Sequence, residues 1–140
     1  MAAPAVLYTP RILELATSLS AWPWNDALPW QGQARSRSCG STLRLGLATD
    51  GAGRIDRVGL LAQACAIGQA SAALFAQAAV GQSVVAVSRA EAALRAWLAG
   101  TGPMPDWPGM GELDAARGHP GRYGAILLAW QAALDALPTG

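Results

Sequence analysis

Apolar and polar positions alternate along the first half of the chain with the period of β-strands. Leu43, Leu45 and Leu47 are separated by smaller or polar residues, which indicates a strand with one buried face. The next stretch, "ATDGAGR", offers the glycines that a tight turn needs, and "IDRVGLLAQA" over 55–64 returns as a second strand. A third strand is predicted over 33–38.

The other regular segments have helical features. Thr9 and Pro10 form a helix start, with a capping residue followed by proline at the first helical position. An Ala-rich run ends naturally at Gly81. Ser88 and Glu91 in "SRAE" have the spacing of a capping box. We therefore predict helices over 10–19, 66–80, 89–99 and 122–137.

Strands that precede the main helices are typical of an α+β domain. We expect an antiparallel β-sheet of about three strands packed against the C-terminal helices. The length of 140 residues, half of them apolar, is enough for one core, so residues 1–140 are expected to form a single domain.

The stretch "SAWPWNDALPWQGQ" contains three tryptophans but has neither a helical nor a strand period, which indicates a loop. Two interpretations remain open for Trp22, Trp24 and Trp30. The indoles cover the surface of the core, or they form a patch that binds a partner.

Charge and hydropathy narrow the classes of partner. Ten arginines nearly balance nine acidic residues, so no charge excess favours nucleic acid or an anionic membrane. The first residues lack a cationic segment followed by an apolar one, so a cytoplasmic location is the expectation.

The stretch between Arg57 and Arg89 contains no charged residue and is long enough to span a bilayer. Glutamines and glycines interrupt it, and it is rich in alanine rather than leucine. A buried strand followed by a buried helix explains the same pattern, so no membrane association is expected.

The two cysteines both fall at predicted turns. Cys39 lies between two strands in "SRSCGST", and Cys65 lies where a strand gives way to a helix. Because helix N-terminal amides stabilise a thiolate, Cys65 is a better candidate for thiolate chemistry than a cysteine in a strand interior. Two inert buried thiols are the alternative.

The order of the motifs along the chain and the residues in them resemble those of the NifU/IscU/SufU family of iron–sulfur cluster assembly scaffolds. Residues 8–11 approximate the family's "Y-x-x-P-R" segment, and Cys39-Gly40-Ser41 stands where the family has "C-G-D". Residues 64–71 correspond to the family's "G-C-x-x-x-x-A-S" motif at the start of a helix. Residues 120–130 fit the SufU frame "P-A-R-x-x-C-A-x-L-x-W", with Ala125 at the position of the third cysteine.

In the family, three cysteines and an aspartate together hold a nascent iron–sulfur cluster or a zinc ion. This chain keeps Cys39 and Cys65 and has Ser41 and Ala125 at the other two positions. His119, the only histidine, precedes the last helix and is a candidate third ligand or a solvated surface residue. Four ligands are the norm for zinc and for clusters, so the resemblance implies an iron–sulfur cluster or zinc that is weakly held or absent.

The resemblance implies a scaffold protein, not an enzyme, whose Cys39 and Cys65 accept sulfur from a cysteine desulfurase or hold a labile metal. Its partners would be the desulfurase and other iron–sulfur assembly proteins. The resemblance also places the two cysteine loops side by side, so an intramolecular disulfide is expected on mild oxidation.

Three alternatives stay open. The first is a degenerate, non-metal-binding relative that acts as an interaction protein through the tryptophan loop at 22–30 and "MPDWPGM". The second is a homodimer that pools two cysteine pairs around one cluster. The third, a small thiol enzyme, has little support because no acid and only one possible histidine base has motif-level spacing from either cysteine.

Overall fold

The computed structural model describes residues 7–37 and 39–138. Four α-helices and three β-strands make up the fold. They are α1 (Pro10–Thr17), β1 (Trp30–Arg35), β2 (Thr42–Thr49), β3 (Ile55–Gln63), α2 (Ala66–Ala79), α3 (Val84–Leu98) and α4 (Tyr123–Ala136). Short 3-10 segments occupy Ser18–Ala21, Met110–Gly118 and Pro120–Arg122. The predicted α+β class is confirmed.

The three strands form one antiparallel sheet in the order β1-β2-β3. Leu45 is the register partner of Leu60, and both side chains are buried on the face that meets the helices. The register shifts between Ala48 and Thr49, just before the "DGAG" turn. The predicted alternation of β2 therefore describes the sheet correctly.

The predicted bounds of β1 were wrong by about three residues at each end. The strand begins at Trp30 and ends at Arg35 rather than running over 33–38. Gln31 and Gln33 are exposed while Gly32 between them is not, so the strand does alternate. Its partly buried positions are Trp30, Gly32 and Ala34, and because two of these are small, the sequence shows no apolar alternation.

Helix α4 crosses the sheet on its inner side. A Cβ atom added to Gly32 would lie 2.4 Å from the carbonyl oxygen of Ala132, so backbone meets backbone at this crossing. Helix α2 packs on α4, and the buried Ser71 hydroxyl donates to the Ile126 carbonyl at 2.7 Å. The Phe75 ring stacks on Trp107 at a centroid distance of 5.3 Å, which places aromatic packing at the centre of the core.

The predicted capping box of α3 was wrong. The helix begins five residues earlier, at Val84, and its cap is Ser83, whose hydroxyl accepts from the Ala86 amide at 3.1 Å. Ser88 lies inside the helix, and Glu91 is buried and pairs with Arg95 instead. The physical reason is that Ser83 caps a helix that can bury Val87 one turn later.

The tryptophan-rich stretch 20–33 is a loop only over 22–29, so the prediction was wrong at its ends: a 3-10 turn includes 20 and 21, and β1 begins at Trp30. Two of its three indoles cover the core. Trp22 and Trp30 pack against the buried residues. Trp24 instead lies beneath Arg44, whose guanidinium carbon is 4.4 Å from the ring centroid. In "MPDWPGM", Trp107 is itself part of the core, so its indole is not a contact surface.

The uncharged stretch between Arg57 and Arg89 is divided between β3, α2 and the first turns of α3. Across the described residues, no helix combines the length and the apolar character that a bilayer crossing requires.

Candidate functional site

The loop that joins β1 to β2 is closed by its own backbone. The Ser36 amide donates to the Ser41 carbonyl at 2.8 Å, and the Gly40 amide donates back to the Ser36 carbonyl at 3.0 Å. Gly40 has a φ of 70°, a left-handed conformation that glycine adopts without strain. The loop thereby presents Cys39 at an exposed position just beyond the end of the sheet.

Two buried hydroxyls surround the sulfur of Cys39. The Cys39 thiol donates to Ser36 Oγ at 3.3 Å, and Ser41 Oγ lies 3.1 Å from the sulfur. Both serines are at most 5% exposed. Hydrogen bonds from Ser36 and then from Ser41 to the thiolate lower the pKa of Cys39, and the positive charge of Arg122 adds to this effect.

Cys65 occupies the N-cap position of α2, as the sequence predicted. Its carbonyl accepts from the Gln69 amide at 3.0 Å, which opens the helix. Cys65 and Cys39 line the same open cavity, about 330 Å³ in volume. The other lining residues are Gly40, Ser41, Gln63, Ala64 and Arg122. The expected approach of the two cysteine loops is therefore present in the fold.

The cavity has a positive rather than a negative electrostatic character. Arg122 directly precedes α4 and lines the cavity. The lining contains no carboxylate, and the family position of the aspartate holds the neutral Ser41. A site of this kind favours an anionic sulfur species over a cation.

The predicted ligands do not assemble into one metal site. Within residues 7–37 and 39–138, no group of three or more His, Cys, Asp or Glu side chains could hold a metal ion. His119 lies before the 3-10 turn that leads into α4 and does not line the cavity. Ala125 is buried, and its Cβ lies 3.2 Å from where a Gly68 Cβ would be.

This donor set fits neither a resident zinc ion nor a resident cluster. Two thiolates are available in one cavity, and both metal groups normally take four protein ligands. The third cysteine position supplies a methyl group inside the contact of α2 with α4. One chain therefore supplies too few ligands for a complete site of either kind.

Reasoning from the sequence missed two contributors to the site. Ser36 reaches Cys39 only because the loop closes on itself, and Gln63 lines the cavity from the end of β3. The serines on both sides of Cys39 in "SRSCGS" were a usable signal for Ser36. Nothing in the local sequence marked Gln63.

Comparison with solved structures agrees with the fold. The chain superposes on the N-terminal part of a NifU-like nitrogen fixation protein from Brucella abortus with a TM-score of 0.84 and 26% identity, covering 93% of this chain and 91% of that one. A putative iron–sulfur cluster assembly scaffold protein for the SUF system from Fervidobacterium islandicum AW-1 matches with a TM-score of 0.81 and 19% identity, over 94% and 97% of the two chains.

A third structure, a hypothetical protein solved at 2.3 Å, has a TM-score of 0.72 and 22% identity over 89% of this chain and 95% of that one. No family model and no curated protein matches the sequence. The motifs, the three-stranded sheet with its helices and the two structural neighbours of known class agree. The chain is a NifU/IscU/SufU-like protein with the fold of the iron–sulfur cluster assembly scaffolds.

Proposed function

We propose that this protein accepts sulfane sulfur on Cys39 from the persulfide of a cysteine desulfurase, as a non-enzymatic relative of the iron–sulfur assembly scaffolds. The observation that carries the proposal is the shared cavity, in which two cysteines and an arginine meet without a carboxylate. Cys65 lies at the same cavity and is the second position that the transferred sulfur can reach.

The transfer is a thiolate exchange that needs no external oxidant or reductant. The Cys39 thiolate attacks the outer sulfur of the donor persulfide, a new S–S bond forms on Cys39, and the S–S bond of the donor breaks. The donor leaves as a thiolate with the bonding electron pair, so the product is a Cys39 persulfide. A thiol that ionises readily is the better nucleophile near neutral pH.

Three features of the site support this chemistry. Ser36 and Ser41 donate to the thiolate and lower the pKa of Cys39. The sulfur is exposed, so a bulky protein persulfide can approach it. Arg122 places a positive charge beside the position at which the anionic persulfide would form.

The same features argue against a tightly held metal. A neutral hydroxyl is a poor ligand compared with a carboxylate, and Arg122 repels a cation from the cavity. We therefore propose that iron or zinc meets the two thiolates only transiently, as cargo of an assembly reaction that another subunit or protein completes. A homodimer that pools two cysteine pairs remains one way to complete it.

Transfer from a small persulfide tests the proposal without a protein partner. The reduced protein is incubated anaerobically with cysteine persulfide, and intact-mass and peptide mass spectrometry locate the added sulfur. We expect one added sulfur on Cys39, and Cys39→Ser should abolish it. Cys65→Ser is the matched control and should still accept sulfur on Cys39.

An unmodified wild-type protein under these conditions would contradict the proposal. The proposal would also be contradicted if the added sulfur were found on Cys65 alone, and if the wild-type and Cys39→Ser proteins acquired it at equal rates. Cys39 would then have no special role.

A further inference from the structure

The outer face of the sheet has an open part that no described segment of the chain covers. Its residues lie in two rows across the strands, and we call them the outer strip. The strip consists of Gln33, Arg44 and Leu61 in one row and Arg35, Thr42 and Gln63 in the next. Five of the six are exposed, and Thr42 is partly so.

The middle of the outer face is covered by the loop at 22–29. Added Cβ atoms at Gly46 and Gly59 would meet the Leu28 side chain and the Pro23 carbonyl oxygen. Both glycines are buried for this reason. The loop ends against the outer strip, where the Trp24 ring lies beneath the Arg44 guanidinium. The outer strip is therefore the uncovered area at the strand ends nearest the cysteines.

The outer strip is continuous with the thiol cavity. Gln63 belongs to both, and Arg35 and Thr42 are the strand residues that flank the loop carrying Cys39. A hollow of about 430 Å³ lies over the strip between Arg35 and Arg44. A protein that delivers sulfur to Cys39 and extends along the sheet must rest on this surface.

The strip is positively charged and carries apolar area beside the charge. No ion pair joins Arg35 or Arg44 to a carboxylate of the described residues. One carboxylate lies at the edge of the strip: Asp135 accepts from the Gln33 amide at 3.0 Å and lines a hollow together with Arg44. Asp26 accepts from the Trp24 indole at 2.6 Å. Two arginines against one carboxylate leave the strip with an excess of positive charge. Leu61 is 49% exposed.

We propose that the outer strip is the docking surface for an acidic face of the sulfur-donating protein, with Leu61 and Trp24 as apolar contacts. The proposal rests on the proposed function and adds the surface and the charge of the partner. Complementary charge speeds encounter and sets orientation, and a mixture of arginine and aromatic side chains is typical of energetically important contacts.

A second copy of this chain is a poorer occupant of the strip. A two-fold contact through the strip would bring four guanidinium groups, from Arg35 and Arg44 of both copies, into one interface against the two Asp135 carboxylates at its edge. The acidic partner removes that repulsion.

The test compares a protein donor with a small donor. Each cysteine desulfurase of the source genome is purified, loaded with radiolabelled cysteine and mixed with the Arg35→Glu/Arg44→Glu variant, while cysteine persulfide serves as the small donor. We expect transfer from the cognate desulfurase to fall about tenfold or more at low salt, and transfer from cysteine persulfide to stay unchanged. The matched control is Arg57→Glu/Arg89→Glu, which reverses two exposed arginines away from the strip.

The outcomes separate the two proposals. Transfer from the desulfurase at the wild-type rate, or an equal loss in the control variant, overturns the docking surface. Failure of every desulfurase with the wild type overturns it as well. A wild-type protein that cannot take sulfur from cysteine persulfide contradicts the proposed function instead. Self-association that the strip variant abolishes would show that a second copy occupies the surface, and this also overturns the proposal.

Discussion

Cys39 and Cys65 share a cavity but differ in what surrounds each sulfur. Cys39 has two hydroxyl groups within 3.3 Å of its sulfur, whereas Cys65 has the N-cap position of α2 and no side-chain capping bond. The sequence pointed to both residues, and the helix N-terminus at Cys65 is visible in a sequence pattern. A hydroxyl brought close by loop closure is not.

Removing the hydroxyls should slow the reaction of Cys39 at neutral pH. The two serines lower the pKa of Cys39 by donating to the thiolate, so Ser36→Ala and Ser41→Ala should each raise that pKa and leave less thiolate. We expect alkylation by iodoacetamide at pH 7 to slow roughly threefold per serine, since solvent weakens hydrogen bonds at an exposed site. The rate is measured against pH in a Cys65→Ser background.

Threonine at either position retains the hydroxyl and serves as the control. The threonine variants should keep most of the wild-type alkylation rate. If the alanine variants leave the pH dependence of the alkylation rate unchanged, the assigned role of the serines is contradicted.

Mild oxidation should join Cys39 to Cys65 within one chain. Both thiols are free and line one cavity, and a disulfide requires Cα atoms within about 7 Å. Non-reducing mass spectrometry of the oxidised protein should show a monomer that has lost two hydrogens. Cys65→Ala should prevent the change, and oxidation that produces only intermolecular dimers would count against it.

At the scale of helices and strands, periodicity located most of the fold. The bounds of β2, β3 and α2 follow from alternating leucines and from an alanine run that ends before a glycine. The start of α3 was missed because two serines were plausible caps and only packing of Val87 selects the earlier one. The start of β1 was missed because its backbone pairs with β2 while its side chains form no apolar pattern.

The crossing of α4 over β1 should depend on the absence of a side chain at Gly32. An added Cβ would lie 2.4 Å from the Ala132 oxygen and 2.5 Å from the Ala136 nitrogen. These are backbone atoms that cannot move away singly, so Gly32→Ala should destabilise the fold by about 3 kcal/mol. The expected fall in Tm is roughly 10 °C, measured by circular dichroism.

Gly51→Ala is the matched control, because an added Cβ there has open space around it. It should leave Tm within about 2 °C of the wild type. Equal Tm values for the two variants would show that α4 does not approach β1 this closely.

On the scale of the whole molecule, the fold of the scaffolds is retained while the family's ligand set is not. A TM-score of 0.84 with 26% identity means that the helices and strands keep their places although most side chains differ. The two substituted positions, Ser41 and Ala125, were visible in the sequence once the motifs were aligned. Their consequence, a cavity with an arginine and no carboxylate, required the folded chain.

Restoring the family pattern should restore metal retention. Ser41→Asp adds a carboxylate beside Cys39, and Ala125→Cys adds a thiol one turn into α4. The binding free energy of zinc in a complete ligand set is on the order of 10 kcal/mol. The double variant should therefore bind zinc several orders of magnitude more tightly than the wild type. Competition with a chromophoric chelator measures the affinity. Equal affinities would show that these two positions do not limit binding.

The central claim is that the cavity takes up sulfur but does not retain metal, and one anaerobic sample can test both parts. The wild-type protein is incubated with cysteine persulfide and then with ferrous iron or zinc, desalted, and analysed for sulfane sulfur and for metal per chain. The account predicts sulfane sulfur on Cys39 and a metal content far below one per chain. One zinc ion or one cluster retained per chain, with no sulfane sulfur on Cys39, would contradict it.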